Sequence, residues 1–155
     1  MQVRNKLFMV PLALAALAGC GDDPLGAGDL ELADLQGTWT VQSAEYTADS
    51  GDDQYDLIAD GDATGTATVS PAGAYTVVYQ VNQFTSNYSG TIALGDQSAT
   101  LTLTSPSGVT VNGGADIELD GDQLTIRFEN ARYDFEDDDQ GEVNADLVWV
   151  WQKND

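Results

Sequence analysis

The chain has no histidine and a single cysteine among its 155 residues, and only 5 lysines and arginines stand against 26 aspartates and glutamates. Without histidine, Ser-His-Asp and Cys-His nucleophilic sites are excluded, as are zinc sites built on imidazole. One cysteine has no partner within the chain, so no internal disulfide staples the fold. A net charge of −21 repels nucleic acid and anionic lipid headgroups, so neither is an expected partner of the folded surface. No glycine-rich phosphate loop follows a strand and opens a helix. Carboxylates and tyrosines are what remain for chemistry, and with so many acids a neighbouring pair says little about glycoside hydrolysis. The expectation is a protein that is not an enzyme and carries no cofactor.

What the sequence does have begins at its amino terminus. Arg4 and Lys6 form a basic start, Leu7 to Leu17 is an apolar run broken by Pro11, and Ala18-Gly19 precede Cys20. Basic, apolar, then small is the layout of a secretory signal. The run is about half of the ~20 residues that span a bilayer. Leu17-Ala18-Gly19-Cys20 resembles the lipobox of bacterial lipoproteins. The resemblance implies cleavage after Gly19, a diacylglyceryl group on the Cys20 sulfur and an acylated new amino terminus. Two or more acyl chains anchor a protein durably to a membrane. Gly21, not aspartate, follows the cysteine, which by the same resemblance implies the outer membrane of the cell envelope. Loss of Arg4 and Lys6 with the signal (residues 1–19) takes the net charge to −23.

Residues 20–34 read as the lipidated cysteine and a flexible Gly/Asp/Ala-rich tether, with Leu30, Leu32 and Leu35 spaced for one turn of helix at its end. From Leu35 to Asp155 the pattern changes to alternation of apolar and polar residues. Tyr75, Val77, Tyr79 and Val81 share one face, as do Leu124, Ile126 and Phe128, and Leu147, Trp149 and Trp151. Period two with one apolar face marks strands that are packed on one side and wet on the other. Ser70-Pro71-Ala72-Gly73, Leu94-Gly95-Asp96-Gln97 and Asp120-Gly121-Asp122 are short enough to join antiparallel neighbours. A meander of about eight such strands buries its apolar face and loses its edges together when it closes into a barrel. The predicted fold is therefore all-β, an antiparallel up-and-down barrel over residues 35–155.

Gly37-Thr38-Trp39 at the start of the first long strand resembles the opening motif of lipocalins, and Asp146 to Gln152 resembles the closing strand of small bacterial lipocalin-like domains. The resemblance implies that Gly37 and Trp39 are structural, with the indole at the closed end of the barrel. It also implies an arginine from a late strand over Trp39, for which Arg127 and Arg132 are the candidates.

Two functional readings follow. In the first, a small apolar ligand enters the open end, against aromatic walls made by Tyr75, Tyr79, Phe84, Tyr88, Phe128 and Trp149. In the second, the same side chains fill the core, and the domain is a non-catalytic structural or interaction module that meets an envelope protein. Two acidic stretches, Asp49 to Asp62 and Asp134 to Glu142, have enough oxygens for weak calcium binding, with Asp137, Asp139 and Glu142 as candidate ligands. They lack EF-hand spacing and read first as solvated loops, so no resident metal is expected.

Overall fold

A computed structural model describes residues 25–49, 53–96, 98–135 and 142–155. The expected signal (residues 1–19), Cys20, Asp137 and Asp139 lie outside the described residues. The elements are β1 (Leu25–Gly26), α1 (Leu32–Leu35), β2 (Gly37–Ala48), β3 (Gln54–Asp56), β4 (Thr64–Val69), β5 (Ala74–Val81), β6 (Phe84–Leu94), β7 (Ala99–Thr104), β8 (Thr110–Asp120), β9 (Gln123–Tyr133) and β10 (Val143–Lys153).

Strand β2 and strands β4 to β10 each pair antiparallel with their sequence neighbours, and β10 returns to pair β2. The result is the closed antiparallel barrel of eight strands that the alternation predicts. Turn chemistry supports it. Gly73 (φ 78) closes the β4–β5 hairpin, with its N–H donating to Ser70 O at 3.0 Å. Gly121 (φ 57) turns β8 into β9, and Asn82 (φ 54) turns β5 into β6. These are residues that tolerate left-handed backbone.

Two irregularities bend the wall. On β2, one extra residue stands between Val41, opposite Trp151, and Ser43, opposite Val150. On β9, an extra residue falls between Phe128, opposite Leu147, and Ala131, opposite Ala145, where Asn130 is left-handed (φ 74). Bulges of this kind increase local twist and help a sheet curl. Strand β8 leans across the wall: its first half pairs β7 and its second half pairs β9, with Ala115 the residue common to both.

The stretch read as a tether packs on the barrel from Leu25 onward. Leu25 and Gly26 pair with Leu119 and Glu118 of β8, beside the end of β7. Leu30 and Leu35 are buried, and α1 closes the lower end of the barrel, so the leucine spacing marks a plug rather than free chain. The Glu31 backbone N–H donates to the Asp34 carboxylate at 2.8 Å, which caps that single turn. At the upper end, β3 and the turn after it fold over the mouth and pair with β2 through Tyr46↔Tyr55.

Candidate functional site: the barrel lumen and its mouth

The inward positions hold Trp39, Trp149, Trp151, Tyr46, Tyr75, Tyr79 and Phe128, each 3% exposed or less. Among the described residues, no other polar or charged side chain is buried. Large rings are accommodated because small residues face them: Ala44, Ala67, Ala115, Ala131 and Ala145 are also buried inside the wall. Alternation of large and small inward side chains is what fills a narrow barrel.

The rings occupy one another. Trp149 Nε1 donates to the Tyr79 hydroxyl at 2.7 Å, across a sequence separation of 70 residues. Trp149 also meets Tyr75 edge-on at 6.0 Å and Trp151 at 5.4 Å between centroids. The Tyr75 hydroxyl donates to Thr102 O at 2.8 Å. This contact depends on Gly90, because a Cβ there would lie 2.8 Å from that hydroxyl and closer still to Thr102 O. Trp151 Nε1 is the buried side-chain donor without a partner among the described residues.

Toward the mouth the lining becomes a tyrosine stack. Tyr133 lies between Tyr46 (4.5 Å) and Tyr55 (5.6 Å), with Phe135 edge-on to it at 5.0 Å. Tyr88 meets Tyr79 edge-on at 5.5 Å. Burial pushes the Tyr46, Tyr75, Tyr79 and Tyr88 hydroxyls above their ordinary titration range. Neighbouring tyrosines raise Tyr46 further, whereas the Trp149 hydrogen bond pulls Tyr79 back in part. These tyrosines are neutral packing groups at physiological pH.

The flap over the mouth is fastened by Asp56. Its carboxylate accepts from Ser43 Oγ (2.7 Å) and from the N–H groups of Ile58 (2.7 Å), Ala44 (3.2 Å) and Ala59 (3.2 Å). Partial burial works against the charged form, but the four donors outweigh it and hold the carboxyl below its usual range.

Of the residues expected to line a ligand site, Tyr75, Tyr79, Phe128 and Trp149 are core and Tyr88 is half-buried near the mouth. Phe84 departs from them. It keeps the inward phase of β6 but sits beside the β5–β6 turn, past the rim, and is 79% exposed. A wall position inside the lumen is therefore corrected to an exposed hairpin tip. Gly37 and Trp39 stand at the closed end, where Trp39 is fully buried and its Nε1 donates to Leu35 O at 3.0 Å.

The cation over that indole is neither Arg127 nor Arg132. Lys153, opposite Trp39 in the β10–β2 register, places Nζ 5.3 Å from the ring centroid and donates to Asp34 O at 3.1 Å. Arg127 lies on the outer wall, 3.5 Å from Glu118, and Arg132 donates to Glu142 O. Glu142 thus meets Arg132 through its backbone, and no group of three metal-ligating side chains occurs among the described residues.

A groove of about 320 Å³ opens on the outer face of β8–β10, where Gly114, Asp116, Arg127, Glu129 and Asp146 surround it. It lies on the opposite side of the wall from the packed rings. Comparison with protein-family models, curated proteins and solved structures finds no match for the chain.

Proposed function

We propose that this chain is a lipid-anchored, non-catalytic module of the bacterial cell envelope, a lipocalin-like barrel with a filled lumen that works through its outer surface. The observation that carries the filled-barrel reading is the ring cluster Tyr75–Trp149–Tyr79. Its hydrogen bond and edge contacts span the lumen where an apolar ligand would otherwise rest. The tripartite leader ending in Cys20 supports export and anchoring, with the outer membrane favoured by Gly21. The acidity argues against nucleic acid, the proposed lipid on Cys20 provides the membrane link, and an envelope protein is the remaining candidate partner.

A second reading, a small hydrophobic ligand, draws support from one place only. Tyr88, Tyr133 and Phe135 are half-buried near the mouth, where a ligand could rest on rings without entering the core.

Two measurements test the proposal. The intact mass of protein extracted from bacterial membranes should equal Cys20–Asp155 plus acyl groups; an unmodified chain beginning at Met1 refutes the anchor. Titration of the folded domain with a neutral apolar fluorophore should give no saturable emission. Stoichiometric binding refutes the filled lumen and favours the ligand reading.

A further inference from the structure

Between Ala63 and Ala115 the chain carries one charged residue, Asp96, although acids crowd the sequence on both sides. These residues build β4 to β7 and the first half of β8, which are adjacent columns of the barrel. Their inward positions are mostly apolar, and the outer wall they form is made mainly of hydroxyl, amide and small groups, with Val78 among them. One row at matched register runs through Thr38, Thr68, Thr76, Ser89, Thr104 and Thr110, one residue per neighbouring strand. At about 4.8 Å per strand the row extends roughly 24 Å around the wall.

The acids lie elsewhere. Glu45, Asp116, Glu118, Glu129 and Asp146 occupy outward positions on β2 and β8 to β10. Asp29, Glu31, Asp34, Asp120, Asp122 and Asp155 ring the lower end, and Asp96 joins them in the β6–β7 turn. The mouth carries Asp49, Asp53, Asp60, Asp62 and Asp134. Only the threonine wall can approach an anionic surface without bringing carboxylates to it.

Two further observations choose the occupant. The described chain enters at Leu25, paired with β8 beside the end of β7, so it leaves the barrel at the lower border of this wall. Four residues separate Cys20 from Leu25, and the five steps between them reach at most about 18 Å. Three of the four exposed large apolar residues among those described, Leu25, Phe84 and Val109, also sit at the wall's borders, at its lower edge and at the two upper hairpins; the fourth, Val143, begins β10 at the mouth. Phe and Leu side chains on a surface-lying element bury at the headgroup–acyl boundary of a bilayer.

We infer that the threonine wall faces the membrane: the barrel lies on its side against the phospholipid headgroups, with the acidic wall turned away. This orientation rests on the proposed lipid at Cys20. The wall's hydroxyls hydrogen-bond phosphate and glycerol oxygens, and Phe84 and Leu25 settle among the headgroups. Standing on its lower end would press a ring of carboxylates into the same anionic layer, within the Debye length of about 8 Å where repulsion is unscreened.

The test uses the full lipidated protein in vesicles of phosphatidylethanolamine and phosphatidylglycerol doped with a headgroup-nitroxide lipid. A fluorophore is placed at Thr66→Cys, Thr76→Cys, Glu129→Cys or Asp122→Cys, where the acylated Cys20 sulfur does not compete for label. Quenching at positions 66 and 76 should exceed that at 129 and 122 by about twofold or more, because collisional contact falls off across the width of the barrel, at least ~10 Å. Equal quenching at all four positions, or strongest quenching at 122, overturns the orientation while leaving the anchor intact. Failure of the unlabelled protein to float with vesicles overturns the anchor and the orientation with it.

Discussion

A methyl group added inside the lumen distinguishes a filled barrel from one with spare room. Gly65 on β4 faces inward, and a Cβ built there lies 2.7 Å from Val41 Cβ and 3.0 Å from two ring carbons of Tyr79. Neither neighbour can withdraw freely, since Tyr79 is held by Trp149 and Val41 belongs to a paired strand. Overpacking of this kind costs about 1–3 kcal/mol, offset by about 0.4–1 kcal/mol from the stiffer unfolded chain. Gly65→Ala should therefore lose about 1–2 kcal/mol, which lowers the urea midpoint by roughly 0.5–1 M at a slope of ~2 kcal/mol/M. Gly114, on the outer face, is the matched control: its Cβ would meet nothing within 4 Å. Gly114→Ala should be neutral or raise the midpoint slightly, with the chain-stiffening contribution of about 0.4–1 kcal/mol unopposed. Equilibrium urea unfolding followed by tryptophan fluorescence measures both. If Gly65→Ala behaves like Gly114→Ala, the lumen has room and the reasoning fails.

Three more outcomes are expected. Tyr79→Phe orphans the buried Trp149 N–H and should cost about 1–3 kcal/mol, whereas adding Trp149→Phe should recover part of the loss in a double-mutant cycle. Lys153→Met removes both the cation over Trp39 and the donor to Asp34 O; about 1 kcal/mol of destabilisation is expected, and an unchanged urea midpoint would count against this anchor. The pH limits follow from the shifted groups. Asp56 has a depressed folded-state pKa, so its contribution is present above about pH 4 and is lost as pH falls through the folded value; Asp56→Asn should flatten that acid limb in thermal scans. The buried tyrosines have raised pKa values, so their contribution is complete below about pH 10 and is lost on the alkaline side, with tyrosinate absorbance appearing together with unfolding.

The strand faces were legible because a half-buried strand must alternate, and Tyr75-x-Val77-x-Tyr79 or Leu147-x-Trp149-x-Trp151 can bury one side only. Closure followed from the same pattern together with the short hairpin connections: a sandwich would also bury that face but leaves edges on each sheet, whereas a closed meander leaves none. Less legible were the strands whose inward residues are small. Gly65 and Ala67 on β4 give little hydrophobic signal, yet both face inward, and Gly65 is what lets Tyr79 fit. Phe84 misled because alternation continues past the point where the barrel ends, and periodicity contains no information about the rim.

The cation over Trp39 needed register rather than composition. In a closed meander the end of the last strand meets the start of the first, which brings Lys153 to Trp39. The stretch from Ala63 to Ala115, with Asp96 its one charge, was visible in the sequence throughout. Its meaning required the topology, which turns a segment of chain into one continuous side of a barrel.

Native mass spectrometry of the folded domain, recovered from a bacterial periplasm and soaked in envelope lipid extract, decides most directly whether the lumen is full. The packed rings predict the bare mass of the polypeptide before and after soaking. A reproducible added mass that departs on denaturation would contradict them and make this barrel a carrier.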